Sequence, residues 1–261
     1  MTNTPVANTP SDSGRSILIL GASRGIGQAC ALALARAGFS VGVACRRAND
    51  AKAVALEIEA IGGKALPITA DVCVASDVQG AVAALVNAFG SLAGVVNNAG
   101  IVEPIGHLAD TDPAAWGRLV QINIVGAYHG MRYALEAMPK GGVIVNLSSG
   151  AAASAMEGWS AYCASKAALA MMTRVAQLEY GQRGALIYGF RPGVVDTGMQ
   201  VSIRASGINP VSQIKREALA PADQPAAGIA WLFTAKPADL AGLELDIRDA
   251  ALRARMGLAA L

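Results

Sequence analysis

The sequence predicts a single α/β domain, built on a doubly wound parallel sheet with helices on both faces. Short, unbroken apolar runs begin at Ile17 and alternate with longer stretches of helical pattern. Strands buried on both faces show such continuous runs, and helical crossovers between them make neighbouring strands parallel. A length of 261 residues fits one large domain, and no repeat, linker or change of composition divides the chain.

Four strands are predicted in the first half of the chain, and a helix follows each of the first three. The strands are ILILG, SVGVAC, KALPITAD and LAGVVNNAG, and the helices are GQACALALARAG, DAKAVALEIEAIGG and SDVQGAVAALVNAFG. Gly38 ends the first helix. The second helix has Asp50 as its predicted N-cap and Gly62 just after its end, and these residue types are preferred at such positions.

The second half continues the alternation with two further strands. A long helix is predicted over DPAAWGRLVQINIVGAYHGMRYALEAM, with Asp112 as its N-cap and Pro113 in the first helical position. The strand GGVIVNLSS, the long helix SAYCASKAALAMMTRVAQLEYG and the strand GALIYGFRPG follow. Together these elements complete the pattern of a parallel sheet covered on both sides.

Composition and charge exclude several functional classes. A formal net charge of +2 without a basic run argues against nucleic-acid binding, and the early apolar run SILIL is too short to span a bilayer. Residues 1–14 show no signal-peptide pattern and are predicted to be a disordered tail. Four scattered cysteines, none in a CxxC pair, indicate a reduced cytoplasmic protein without a metal site; they are Cys30, Cys45, Cys73 and Cys163.

A glycine-rich turn, GASRGIG, lies between the first strand and the first helix. Gly21 permits the tight turn, Gly25 lets the backbone approach a pyrophosphate, and Gly27 lets the helix pack close to the sheet. The N-terminus of the helix then offers free N–H groups and a partial positive charge to the phosphates. The spacing is GxxxGxG rather than GxGxxG, and in this strand–turn–helix context it predicts nucleotide binding.

The end of the second strand bears on which dinucleotide is bound. An acidic residue there would accept hydrogen bonds from a ribose 2′-hydroxyl, but this chain has Arg46 and Arg47, with no carboxylate before Asp50. Arg24 adds a cation on the same side, and guanidinium groups bind phosphate well. Arg46 and Arg47 could also be solvated loop residues. The combination predicts a preference for NADP(H), with NAD(H) possible.

A tyrosine and a lysine lie four positions apart in WSAYCASKAAL, so Tyr162 and Lys166 share one helix face among small residues. A nearby ammonium stabilises a phenolate and is expected to lower the pKa of Tyr162. Ser149 follows a strand at the edge where doubly wound sheets bind ligands. Asn123 lies on the apolar stripe of its helix. Its amide is either hydrogen-bonded within the core or part of a path for protons.

These motifs occur together in a known family. Over about residues 15–247 the chain resembles the short-chain dehydrogenase/reductase family, which implies a Rossmann-like fold. The similarity is carried by seven motifs in order: GASRGIG, ADV, NNAG, QIN, LSS, YCASK and RPGVVDT. Within PGVVDTGMQVSIR, a shorter similarity points to the sepiapterin reductase and benzil reductase branch. Leu20 replaces a frequent threonine, and the usual DGG near the C-terminus is missing.

The resemblance implies a catalytic tetrad of Asn123, Ser149, Tyr162 and Lys166. Tyr162 would be the general acid in carbonyl reduction and the general base in alcohol oxidation. Ser149 would position the substrate oxygen, Lys166 would bind the nicotinamide ribose, and Asn123 would hold a water. Together, the turn, the arginines and the resemblance give these expected cofactor-binding residues: Gly21, Ser23, Arg24, Gly25, Ile26, Gly27, Arg46, Asp71, Val72, Asn98, Ala99, Gly100, Tyr162, Lys166, Pro192, Gly193, Val195 and Thr197.

We therefore expect an NADPH-dependent enzyme that reduces a small, largely uncharged ketone or dicarbonyl to a secondary alcohol. The alternatives are a secondary alcohol dehydrogenase working in the oxidative direction and a non-catalytic dinucleotide-binding regulator. Residues 194–222 are predicted to form a substrate lid, and the expected substrate-binding residues are Ser149, Met156, Trp159 and Met199. The resemblance also implies a homo-oligomer, a dimer or a tetramer.

Overall fold

The computed structural model describes residues 15–138 and 140–259, so the predicted tail over residues 1–14 lies outside the described residues. In the described chain, seven parallel strands form one sheet in the order β3-β2-β1-β4-β5-β6-β7. The strands are β1 Ser16–Leu20, β2 Ser40–Cys45, β3 Ala65–Thr69, β4 Leu92–Asn97, β5 Val143–Leu147, β6 Leu186–Arg191 and β7 Glu244–Asp246. The order reverses between β1 and β4, which is where doubly wound sheets open a crevice for a ligand.

Helices cover both faces of this sheet, as the sequence predicts. They are α1 Gly25–Arg36, α2 Ala48–Ala60, α3 Ala75–Phe89, α4 Pro113–Val120, α5 Gly126–Ala137, α6 Ser160–Tyr180, α7 Met199–Ser206, α8 Asp223–Ala235 and α9 Ala250–Arg255. Ile17 and Ile19 pack in one buried cluster with α1, α2 and α8, whereas Leu18 and Leu20 pack in another with α3, α5 and α6. Alternate residues of β1 therefore enter opposite layers, and the sheet is buried on both sides.

The six strands predicted from apolar runs are all present, but the short edge strand β7 was not predicted. Its sequence ELD alternates two acidic residues with one buried leucine, Leu245. The predicted N-cap of α2 was also wrong. That helix begins at Ala48, and Asp50 lies in its first turn, where its carboxylate accepts a 2.8 Å hydrogen bond from Arg47 Nε. The N-cap Asp112 is confirmed, because its carboxylate accepts from the Ala115 amide at 2.9 Å.

The long helix predicted from Asp112 is interrupted. A π-helical turn over Gln121–Val125 separates α4 from α5 without breaking the helical path. Such turns insert one extra residue into an α-helix and frequently occur at functional sites. Here the inserted turn carries Asn123 into the protein interior.

Two further features of the described residues concern membrane-spanning helices and metal sites. Within residues 15–138 and 140–259, no helix is both long enough and apolar enough to cross a membrane. The same ranges hold no group of three or more histidine, cysteine or acidic side chains that could bind a metal ion.

Candidate active site

The predicted nucleotide turn is packed tightly against the loop that follows β4. A Cβ atom at Gly27 would lie 2.2 Å from the Gly21 carbonyl oxygen, and one at Gly21 would lie 2.7 Å from the Ala99 Cα atom. Asn98 Nδ2 donates a 2.6 Å hydrogen bond to the Gly21 carbonyl. Only glycine fits at both positions, and Gly21 also has a φ of +85°.

This cradle fits a dinucleotide. Ser23 and Ile26 are half-buried in the turn, and α1 begins at Gly25, so its free N–H groups face the crevice between β1 and β4. The segment after β6 approaches from the other side, since a Cβ atom at Gly25 would lie 3.1 Å from Thr197 Cγ2. In the same segment Pro192 and Gly193 are half-buried, and Val195 pairs with Ala220 in an isolated β-bridge. The residues present could therefore hold the phosphates of a dinucleotide.

A cavity of about 350 Å³ lies where the segment after β6 approaches the glycine turn. It is lined by Gly25, Asp196, Thr197, Gly198, Val201, Arg204 and Arg216. Arg216 is bound to Asp196 at 2.8 Å, but one terminal nitrogen of Arg204 is buried and has no hydrogen-bond partner in the described chain. The sequence pattern does not indicate Arg204 as a candidate ligand, because folding alone brings it close to the glycine turn.

The arginines near the expected adenosine ribose differ in their surroundings. Arg47 is engaged by Asp50, whereas Arg46 and Arg24 are exposed and form no ion pair within the described ranges. The Arg24 guanidinium lies against Gly198. Two of the three cations therefore remain available to a phosphate.

The loop after β3 is fixed by hydrogen bonds to two of the expected cofactor-binding residues. The Asp71 carboxylate accepts from the Cys73 amide at 2.9 Å, and the Val72 carbonyl accepts from His129 Nδ1 at 2.8 Å. His129 is buried on α5, so the loop is tied to the helix layer.

Ser149, Tyr162 and Lys166 come together where β5 ends, as the sequence predicts. The Ser149 hydroxyl lies near enough to the Tyr162 hydroxyl to influence its ionisation, and Ser149 Oγ accepts from the Ala151 amide at 3.2 Å. Lys166 Nζ donates a 2.6 Å hydrogen bond to the Leu147 carbonyl and lies 5.6 Å from the centre of the Tyr162 ring. Tyr162 and Lys166 are only 7% and 6% exposed.

Burial governs the ionisation of both groups. Burial lowers the pKa of Lys166 to about 8, and the negative charge of Glu244 opposes that effect. Burial also raises the pKa of Tyr162, while the neighbouring Ser149 hydroxyl acts in the opposite direction. The expected net lowering of the Tyr162 pKa is therefore wrong for this structure, because desolvation of the phenolate exceeds the stabilisation it receives.

Asn123 is a buried amide whose nitrogen and oxygen are both engaged. Its oxygen accepts from the Ile101 amide at 2.9 Å, and its nitrogen donates to the Ile101 carbonyl at 2.8 Å and to Ser165 Oγ at 3.1 Å. The π turn is thereby fastened to the segment after Gly100. This geometry matches the satisfied core amide, and the water-holding role stays a prediction.

The three apolar residues among those expected to bind substrate pack in one cluster with Tyr162. Trp159 packs edge-on against the Tyr162 ring with centroids 5.4 Å apart, and Met156 and Met199 pack in the same cluster with Ile203 of α7. The cluster joins the start of α6 to α7, so the segment after β6 covers the tyrosine with apolar side chains.

Comparison with known proteins agrees with this geometry. A family model described as short chain dehydrogenase matches residues 15–207. The chain belongs to the short chain dehydrogenase family, whose members are NAD(P)-dependent oxidoreductases. A crystal structure of a short-chain type dehydrogenase/reductase from Mycobacterium marinum is similar, with a TM-score of 0.81 and 29% identity over 90% of this chain and 94% of that one.

Several curated members of the family are similar in sequence. Short chain dehydrogenase mpl6 of Monascus purpureus is 38% identical over 70% of this chain and 66% of its own length. Cyclohexanol dehydrogenase of Acinetobacter sp. (strain SE19) is 35% identical over 69% and 72%. 2-(S)-hydroxypropyl-CoM dehydrogenase 3 of Xanthobacter autotrophicus is 35% identical over 78% and 81%. These relatives do not confirm the closer similarity to the sepiapterin reductase and benzil reductase branch.

Proposed function

We propose that the protein uses NADPH to reduce a small, largely uncharged ketone or dicarbonyl to a secondary alcohol. The observation that carries this proposal is the buried Tyr162, which lies beside Ser149, one helical turn from Lys166 and near a turn that fits a dinucleotide. Relatives named as dehydrogenases of cyclohexanol and of 2-(S)-hydroxypropyl-CoM support a small alcohol or carbonyl as substrate.

Ser149, Tyr162 and Lys166 have separate roles in protonating the carbonyl oxygen of the substrate. When bound, NADPH supplies the hydride for the carbonyl carbon. The Ser149 hydroxyl holds the carbonyl oxygen, and the Tyr162 hydroxyl gives its proton to that oxygen as negative charge develops there. A raised pKa keeps Tyr162 protonated at neutral pH, which is the state that a proton donor needs. The Lys166 ammonium then stabilises the phenolate that remains.

Two features support NADPH over NADH. Arg24 and Arg46 form no ion pair with any residue that the structure describes, and the second strand ends without a carboxylate that would repel a 2′-phosphate. Charge-assisted bonds from guanidinium to phosphate are among the stronger hydrogen bonds in proteins. NADH remains a possible second cofactor, since the glycine turn grips the pyrophosphate common to both.

The substrate class follows from the side chains around Tyr162. Met156, Trp159 and Met199 are apolar, and Arg204 faces the cavity beside Gly25 rather than this cluster. The proposed lid, residues 194–222, thus presents apolar groups to the substrate and a cation to the cofactor side. A compact substrate with an alkyl or aromatic body fits this distribution best.

The oxidative direction is the second candidate, because the relatives are named for alcohols that they oxidise. In that direction Tyr162 would accept the alcohol proton. A non-catalytic regulator would need neither the buried tyrosine nor the apolar cluster beside it, so it is the weakest candidate.

A homo-oligomer is also part of the proposal. α6 exposes Met171, Val175 and Leu178 at helical spacing on one face, and α5 exposes Tyr128. Exposed apolar side chains in such a stripe are typical of an interface with a second copy. The cytoplasmic location predicted from the cysteines remains a prediction.

The decisive experiment is a screen of NADPH oxidation with diketones, cyclic ketones, 3-ketoacyl thioesters and charged sugars, run beside alcohol oxidation with NADP⁺ and NAD⁺. We expect the highest kcat/KM on an uncharged ketone or diketone. A best substrate among the thioesters or charged sugars would contradict the substrate assignment, and no turnover in either direction would contradict the enzymatic function.

A further inference from the structure

Glu244 reaches across a strand to the back of the candidate active site. It lies on β7 directly opposite Gly189 of β6, and Ser148 follows β5 on the other side of that glycine. A Cβ atom at Gly189 would lie only 1.7 Å from Glu244 Oε1, so the missing side chain creates the space that the carboxylate occupies. Through this space Glu244 Oε2 accepts a hydrogen bond from the Ser148 hydroxyl.

The Glu244 charge is incompletely compensated. Arg191 on β6 contacts Glu244 Oε2 at 3.4 Å. The same guanidinium also interacts electrostatically with Asp246 on β7, which forms its own ion pair with Arg248 at 2.7 Å. The Glu244 side chain is only 15% exposed, and its Oε1 atom is buried without a hydrogen-bond partner in the described part of the chain. Because this carboxylate is shielded from water and has only one long ion pair among the described residues, its negative charge interacts strongly with nearby charged groups.

Lys166 approaches the end of β5 from α6 and is influenced by the charge of Glu244. Its ammonium donates to the Leu147 carbonyl, and the hydroxyl of the next residue, Ser148, donates to Glu244. Two consecutive residues at the end of β5 therefore contact the lysine and the carboxylate. Glu244 is the charged group that favours the ammonium form of Lys166 against the effect of burial.

We propose that Glu244 is a positioning residue, which fixes Ser148 and keeps Lys166 in its ammonium form, so that activity persists to higher pH. The catalytic part of this inference rests on the proposed function. The electrostatic part does not, since it concerns only the protein and its own proton.

The experiment follows the titration of Lys166 directly. The ¹³Cε resonance of Lys166 is assigned by its loss in Lys166→Met and is titrated in protein free of cofactor, for wild type and for Glu244→Gln. Glutamine keeps the size and an acceptor for Ser148 but removes the charge. We expect the Lys166 midpoint to fall by roughly half a pH unit or more, and the alkaline decline of kcat/KM to move by the same amount.

Two variants serve as controls. Asp239→Asn also removes one negative charge, but from an exposed pair with Arg255, and should leave the Lys166 midpoint unchanged. Arg191→Gln removes the cation that partly neutralises Glu244 and should raise the midpoint, and this opposite sign keeps the test decisive if Glu244→Gln folds poorly. Thermal unfolding reports folding for each variant.

An unchanged midpoint in folded Glu244→Gln, or a downward shift in Arg191→Gln, would overturn the inference. A shifted midpoint with no turnover in wild type would instead contradict the proposed function while supporting the electrostatic role of Glu244. A purely structural role would reduce stability without moving either midpoint.

Discussion

Replacing Gly27 with alanine tests whether the glycine turn is as tightly closed as the structure shows. The added Cβ atom would lie 2.2 Å from the Gly21 carbonyl oxygen and 2.5 Å from Asn98 Nδ2. The first contact is with backbone, so the turn itself must move, and the 2.6 Å hydrogen bond between Asn98 and Gly21 is lost. Overpacking costs about 1–3 kcal/mol and the hydrogen bond about 0.5–1.5 kcal/mol, which together give about 1.5–4.5 kcal/mol.

The matched control is Gly80→Ala in α3. A Cβ atom there meets nothing within 4 Å, and Gly80 is exposed in a helix interior. Alanine should therefore stabilise that helix by about 0.5–1 kcal/mol. For Gly27→Ala we expect a Tm lowered by at least about 4 °C and NADPH affinity, measured by fluorescence, weakened at least about tenfold. Equal Tm and equal affinity in the two variants would refute the close packing of the turn.

Three further predictions concern the proposed catalytic and cofactor residues. Tyr162→Phe should lower kcat at least about 100-fold with little change in NADPH affinity, because only the proton donor is lost; near-normal turnover would contradict its role. Arg24→Ala combined with Arg46→Ala should reduce the ratio of kcat/KM for NADPH over NADH by at least about tenfold. The control Arg47→Ala should leave that ratio unchanged, because Asp50 already engages Arg47. Reductive kcat/KM should fall as pH rises through about 8, where Lys166 loses its proton, and a flat profile from neutral pH to pH 9.5 would contradict this assignment.

Sequence pattern was sufficient for most of the sheet because β1, β2, β4, β5 and β6 are apolar runs buried on both faces, whereas β3 lies partly exposed at the edge. β7 escaped detection because Glu244 and Asp246 are half-buried at the edge of the sheet, where only Leu245 enters the core. The sequence also does not show why residue 189 is glycine, because the reason is that the Glu244 carboxylate occupies the space of a side chain there. Such pairings join residues far apart in the chain, and local periodicity does not encode them.

In the candidate site, too, some features could be predicted from local sequence and others depend on the folded structure. The positions of Ser149, Tyr162 and Lys166 follow from helix geometry and from the end of β5, so they could be predicted. The direction of the Tyr162 pKa could not, because it depends on how completely the folded protein removes water from the phenol. The partnerless nitrogen of Arg204 likewise depends on how α7 is placed after folding.

The π turn at Gln121–Val125 has a consequence for how the protein can change its specificity. Before the turn, Leu119 packs in the cluster around Trp159 and Tyr162; after it, Ala127 and Met131 pack in the core beneath the sheet. One continuous helical path thus serves two separate packing surfaces, with Asn123 fastened between them. Substitutions in α4 therefore change the cluster around Tyr162, whereas substitutions in α5 change the core beneath the sheet, so the two surfaces can vary separately.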